Sequence, residues 1–143
     1  MKAVKVRPAT GTDAAAIAVL VTQLGYSSDA AQVSARLRQL QDQPGVRALV
    51  AEQDGRVTGM VGLMAFPAFH RDGLHGYVTA LVVHEAERGG GVGTALMAAA
   101  EAWFVEQGAR RVSLTTALHR EDSHVFYEKR GYTFTGKRFT KIL

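Results

Sequence analysis

The residues Glu87-Arg88-Gly89-Gly90-Gly91-Val92-Gly93-Thr94 have the types and order of an anion cradle. They follow an apolar, strand-like segment, Val78 to Val83, and open into an amphipathic helix. Glycines let the backbone approach a ligand closely, and the N–H groups at a helix start already favour negative charge. Arg88 adds a fixed cation suited to phosphate. Two nucleotide readings fail on the residues. A phosphate-binding loop of the Walker type needs a lysine after its last glycine, and none follows. A dinucleotide fingerprint needs a third small residue after Gly91-x-Gly93, where Leu96 stands, and an acidic residue about twenty positions on, where Arg110 and Arg111 lie. A second constellation lies downstream. Ser123 and Tyr127 are four apart, so on a helix their side chains leave the same face.

The elements that must position these groups are readable in outline. Ala3–Arg7 alternates as a strand ended by Pro8, and Thr12-Asp13 caps an apolar helix through Leu24, stopped at Gly25. Ser28 or Asp29 starts a second helix, with Val33, Leu37 and Leu40 at helical spacing, ending before Pro44-Gly45. Arg47–Glu52 and Val57–Phe66 flank Asp54-Gly55, a hairpin signal. Pro67–Gly73 reads as a loop and His75–Val83 as a fourth strand. The helix after the glycines presents Val92, Leu96, Ala99, Ala100, Trp103 and Phe104 on one side and stops at Gly108. Arg110–Thr115 reads as a strand, Ser123–Arg130 as a short helix ended by Gly131, and Tyr132–Ile142 as one or two final strands. The expected class is α/β: one domain over 1–143, with a mixed, mostly antiparallel sheet flanked by about four helices.

Composition narrows the function. The chain has 143 residues, 47% apolar and 21% charged, as expected of an ordered globular domain. It contains no cysteine, which removes disulfides and a cysteine nucleophile. No run approaches transmembrane length and the N-terminus lacks a signal-like apolar core, so no membrane role and a cytoplasmic location are expected. The net charge of +4, with Lys129, Arg130, Lys137, Arg138 and Lys141 near the end, favours an anionic ligand. Without interleaved aromatic residues it does not point to nucleic acid. The five histidines lack metal-binding spacing, and no metal is expected.

Arg88-x-x-Gly91-x-Gly93 between a strand and a helix resembles the acetyl-CoA pyrophosphate loop of the GNAT superfamily of N-acetyltransferases. Residues Arg120 to Tyr132, with Phe126-Tyr127-Glu128-x-x-Gly131-Tyr132, resemble that family's later cofactor-binding helix, and the order of elements matches over almost the full chain. The resemblance implies that the N–H groups from Arg88 through Gly93 (Gly89, Gly90, Gly91 and Val92 among them) and Thr94 hold the pyrophosphate of acetyl-CoA. It implies that the backbone of Leu81, Val82 and Val83 pairs with the pantetheine arm, and that the Val82 N–H meets the oxyanion. It gives Ser123 a hydrogen bond to the cofactor arm and makes Tyr127 the general acid on the departing sulfur. A phenol of pKa about 10 is protonated at neutral pH and a thiolate of pKa about 8.5 is leaving, so the chemistry suits.

The resemblance also implies direct acetyl transfer to an amine in a ternary complex, with a small or amino-acid-like acceptor. A protein N-terminus, a lysine and an aminoglycoside stay open as acceptors, and a homodimer through late strands stays open too. Many members carry a glutamate as general base at the position of Thr79, and threonine cannot take that role. His75, Tyr77, His119 and Glu121 are the alternatives, and Phe66, Pro67, Phe69 and His70 could line the acceptor pocket. The absent glutamate also leaves open a non-catalytic module that binds acyl-CoA.

Overall fold

Pro8 has no N–H to carry a ladder further, and it closes the short strand β1 (Lys5–Pro8). A 3₁₀ turn at Gly11–Asp13 leads into α1 (Ala14–Leu24), which Gly25 terminates with φ of 116°. Asp29 caps α2 (Ala30–Gln41): its carboxylate accepts from Gln32 N at 2.8 Å while Gln32 Oε1 accepts from Asp29 N at 2.9 Å. Strands β2 (Val46–Gln53) and β3 (Arg56–Ala68) are joined by Asp54-Gly55, whose φ values of 51° and 74° suit a tight hairpin turn. Then follow β4 (Arg71–Val83), a 3₁₀ turn at Glu85–Glu87, α3 (Val92–Glu106), β5 (Ala109–Leu114) and α4 (Glu121–Lys129). This computed structural model describes residues 2–116 and 120–143, in two units, Met1–Ser113 and Leu114–Leu143.

The sheet order is β1-β2-β3-β4-β5, antiparallel through the first four strands. Gly73 lies against the Arg110 side chain, and His75 Nε2 meets Ser113 Oγ at 2.9 Å. Residue numbers therefore rise together along β4 and β5, the parallel pairing that a helical crossover allows. The expected α/β class with its mixed sheet holds.

Two expectations change. Pro67–Gly73 is not a loop: β3 and β4 run on to a turn at Phe69-His70. Pairing with β2 stops at Met64, so the missing N–H of Pro67 interrupts no ladder on that side. Tyr132–Ile142 forms no strand among the described residues. A strand exists only with a partner for its N–H and C=O groups. Phe134, Phe139, Ile142 and Leu143 are correspondingly exposed.

One face of the sheet packs α1 and α2, with Ile17, Leu20, Val33, Val50, Met60 and Val82 in contact. The other takes α3 through buried Val92, Leu96, Met97, Ala100 and Phe104. The near edge is braced by charge. Arg7 donates to both oxygens of Asp13 at 2.8 Å and to Glu52 Oε1 at 2.9 Å, and Asp13 also accepts from Thr10 N at 2.7 Å. The Arg7 guanidinium holds the Asp13 carboxyl below its ordinary value. That stabilisation is present above the unfolded pKa of about 3.9 and is lost as pH falls through the lower folded value. With the Asp13 side chain only 5% exposed, Arg7→Ala should cost about 3 kcal/mol of unfolding free energy at pH 7. A urea titration showing a loss below about 1 kcal/mol, the range of a surface pair, would remove the pair from the fold's supports.

Candidate functional site

Helix α3 begins without a side-chain cap. Its N-cap is Gly91, at φ of 88°, and the helix ladder starts with Ala95 N donating to Gly91 O at 3.0 Å. The amides of Val92, Gly93 and Thr94 precede that first bond, so they have no acceptor inside the helix. Gly89, at φ of 82°, and Gly91 have nothing within 4 Å of an added Cβ, so glycine is required there by conformation rather than by space. The first turn of α3 holds no acidic residue. Arg88 is exposed, and its Nε donates to the Val83 carbonyl at 3.4 Å. The loop is tied down by Gln23 of α1, whose Oε1 accepts from Glu85 N at 3.0 Å, and by His84 Nδ1, which accepts from Ala86 N at 3.1 Å. These features fit a pyrophosphate: open amides, a nearby cation and no opposing acid.

Upstream, β4 carries a bulge. The register passes from Gly62↔Ala80 to Leu63↔Val78 and leaves Thr79 as the extra residue. Thr79 is exposed and lies over Gly62, where an added Cβ would come within 2.5 Å of Thr79 Oγ1. The bulge lies past the end of β5. His75 is level with Ser113, and β5 ends at Leu114, so the last residues of β4 run past it. The ladder decides which way their backbone points. His84 N donates to Thr58 O at 2.8 Å, which makes Thr58 and His84 a mutually bonded pair. By antiparallel alternation Met60 and Val82 are the next such pair, and the groups of Leu81 and Val83 face away from β3. The bond from Arg88 to the Val83 carbonyl agrees. Val82 itself is buried, its side chain in the α1–α2 core.

Thr79, Tyr77 and His75 share a face with Gly62, Met64 and Phe66. There His75 bonds Ser113, and its ring lies 5.5 Å from that of Phe66. Burial, then the charges of Arg111, Arg71 and His70, push its pKa down, so the imidazole is neutral at pH 7. Phe69 stands fully exposed at the hairpin tip with His70, so it is not packed as a strand end.

In the second unit, α4 carries Ser123 and Tyr127 one turn apart, both half-buried. The Tyr127 ring meets those of Phe126 and Tyr132 edge-on, at 5.2 and 5.8 Å. Burial pushes the phenol pKa up against the opposing charge of Arg120, so it keeps its proton at neutral pH. Glu121 is exposed at the start of α4, and His119 lies outside the described residues.

Sequence reasoning missed the bulge and the Arg111–Ser113 edge. One signal for the bulge was present: Gly62 inside an apolar strand marks a bulge or a close approach.

The model of the acetyltransferase (GNAT) family matches residues 17–132. An aminoalkylphosphonate N-acetyltransferase of Salmonella typhimurium (strain LT2) is 38% identical over 101 residues, covering 70% of this chain. The match spans 65% of that relative's own length. A solved structure described as a transcriptional regulator from Bacillus halodurans C-125 superposes with a TM-score of 0.90 at 20% identity, covering 99% of this chain and 100% of that one. An aminoglycoside N-acetyltransferase solved in complex with CoA gives 0.86 at 17% identity, over 100% and 96% of the two chains. The structural likenesses establish a shared fold. With the family model matched over most of its length, the chain belongs to the acetyltransferase (GNAT) family.

Proposed function

We propose that this chain is an N-acetyltransferase that moves the acetyl group of acetyl-CoA to the amine of a small molecule, in a ternary complex. The observation that carries the reading is two sets of backbone groups without a partner in the sheet or the helix, those of Leu81 and Val83 at the end of β4 and the amides of Val92, Gly93 and Thr94 at the start of α3. In this reading Arg88 to Thr94 hold the pyrophosphate and the outer edge of β4 pairs with the pantetheine arm. The oxyanion donor moves from Val82, whose N–H is directed at β3, to the outward N–H of Leu81.

The amine nitrogen bonds to the thioester carbonyl carbon, the carbon–sulfur bond breaks, and the thiolate takes the phenolic proton of Tyr127. Solvent then reprotonates Tyr127. Ser123 bonds the cofactor arm. Thr79 cannot accept the proton that the amine sheds, and the reading gives that proton to water over the exposed bulge. The relative from Salmonella supports a small acceptor of aminoalkylphosphonate kind. Use of acetyl-CoA fits a cytoplasmic enzyme, and no described helix is long and apolar enough to cross a membrane.

The residue at the bulge favours one second reading, a module that binds acyl-CoA without turnover. The two separate on thiol release. With acetyl-CoA and aminoalkylphosphonates the wild type should release thiol, and Tyr127→Phe should lower kcat by about 100-fold or more with acetyl-CoA affinity unchanged. Tight acetyl-CoA binding without thiol release across an amine panel would establish the non-catalytic reading. Full turnover by Tyr127→Phe would remove the acid role. A homodimer belongs to the same proposal, since exposed Phe134, Phe139, Ile142 and Leu143 need cover. Sedimentation should give twice the chain mass, and a monomer at micromolar concentration would exclude it.

A further inference from the structure

The face of β4 and β5 around His75 carries charge that the proposed acetyl transfer does not use. Half-buried His75 is fixed between Phe66 and Ser113 Oγ, and Arg111 precedes Ser113 by two residues on β5, so its side chain leaves the same face. The charges of Arg111, Arg71 and His70 bear on the His75 imidazole. Among the described residues neither arginine forms a salt bridge, and Asp72, beside Arg71, forms none either. Arg111, two residues from Ser113 on β5, and Arg71, paired with Ala68 on β3, thus lie at the same end of this face as His75, and among the described residues neither has a counter-ion. Such an arrangement gains most from an incoming anion, and the guanidinium fork suits the oxygens of a phosphorus oxyanion.

We propose that Arg111 and Arg71, with Ser113 and His75, hold a phosphonate or phosphate group of the acceptor at the end of the acceptor face away from the bulge. The proposal rests on the N-acetyltransferase reading and adds how its acceptor is recognised. His75 and Thr79 are four residues apart, roughly 13 Å of strand, so the anion and the reacting amine sit several bonds apart. An acceptor with a short linker reaches only one of the two.

Calorimetric titration of 5-aminopentylphosphonate, 5-aminopentyl phosphate and pentylamine, each with and without CoA, tests this apart from turnover. Both phosphorus compounds should bind more tightly than pentylamine. Arg111→Gln, an exposed position, should weaken both by about tenfold or more, the scale of one charge-assisted hydrogen bond, and should leave pentylamine within twofold. Loss for the phosphonate alone or the phosphate alone would keep the site and assign its source. Unchanged binding of both in Arg111→Gln and in Arg71→Gln would overturn the proposal, as would an equal loss for pentylamine. Arg111-dependent phosphonate binding by a protein that releases no thiol would keep the site and remove the N-acetyltransferase reading.

Discussion

How closely α3 lies on the sheet is the constraint on which the position of that helix's start, and with it the proposed donor site, depends. A Cβ at Gly59 would come within 2.8 Å of Val92 Cγ1 and 2.9 Å of Leu96 Cδ1, and one at Gly76 within 2.7 Å of Phe104 Cδ1. These two glycines meet opposite ends of the helix, so α3 is seated along its whole length. Glycine in a strand costs about 0.5–1 kcal/mol relative to alanine. Burying Phe104, Leu96 and Val92 returns about 1.5–3 kcal/mol for each side chain. The sequence accepts the smaller cost, and the helix start is held where β4 ends.

A third glycine does comparable work on the opposite face. Gly62 leaves room for Thr79, the bulge residue, and β5 ends before the bulge is reached. Past that end the backbone groups of Leu81 and Val83 face away from β3. The site is therefore built largely of main chain. Val82 and Val92 can be buried core residues while neighbouring amides stay outside the core, because packing and the proposed binding use different atoms. In the proposed reaction, side chains matter where charge or a proton must be supplied.

Features set by neighbours in the chain were legible in the sequence. The glycine loop, the Asp54-Gly55 turn and the apolar stripe of α3 each rest on local backbone preference or a repeating pattern, and each stands where expected, except that the stripe buries Met97 and leaves Ala99 half-buried. Features set by a partner elsewhere were not. Pro67 breaks strands by local rule, yet here β2 has already ended at Met64 and the strand continues. Tyr132–Ile142 has the composition of a strand but no ladder to join. A bulge is a property of register between two strands, so Thr79 gives no sign of it alone. The contact of His75 with Ser113 joins residues 38 apart in the chain, and pattern reasoning cannot place such a pair.

Amide hydrogen exchange with and without CoA tests most directly the claim that this outward backbone holds the acetyl donor. CoA should slow exchange at Leu81 and Val83 and at Val92, Gly93 and Thr94, while Val82, already bonded within the sheet, should change little. CoA binding that leaves those five amides unchanged, or protects only residues elsewhere, would contradict the account.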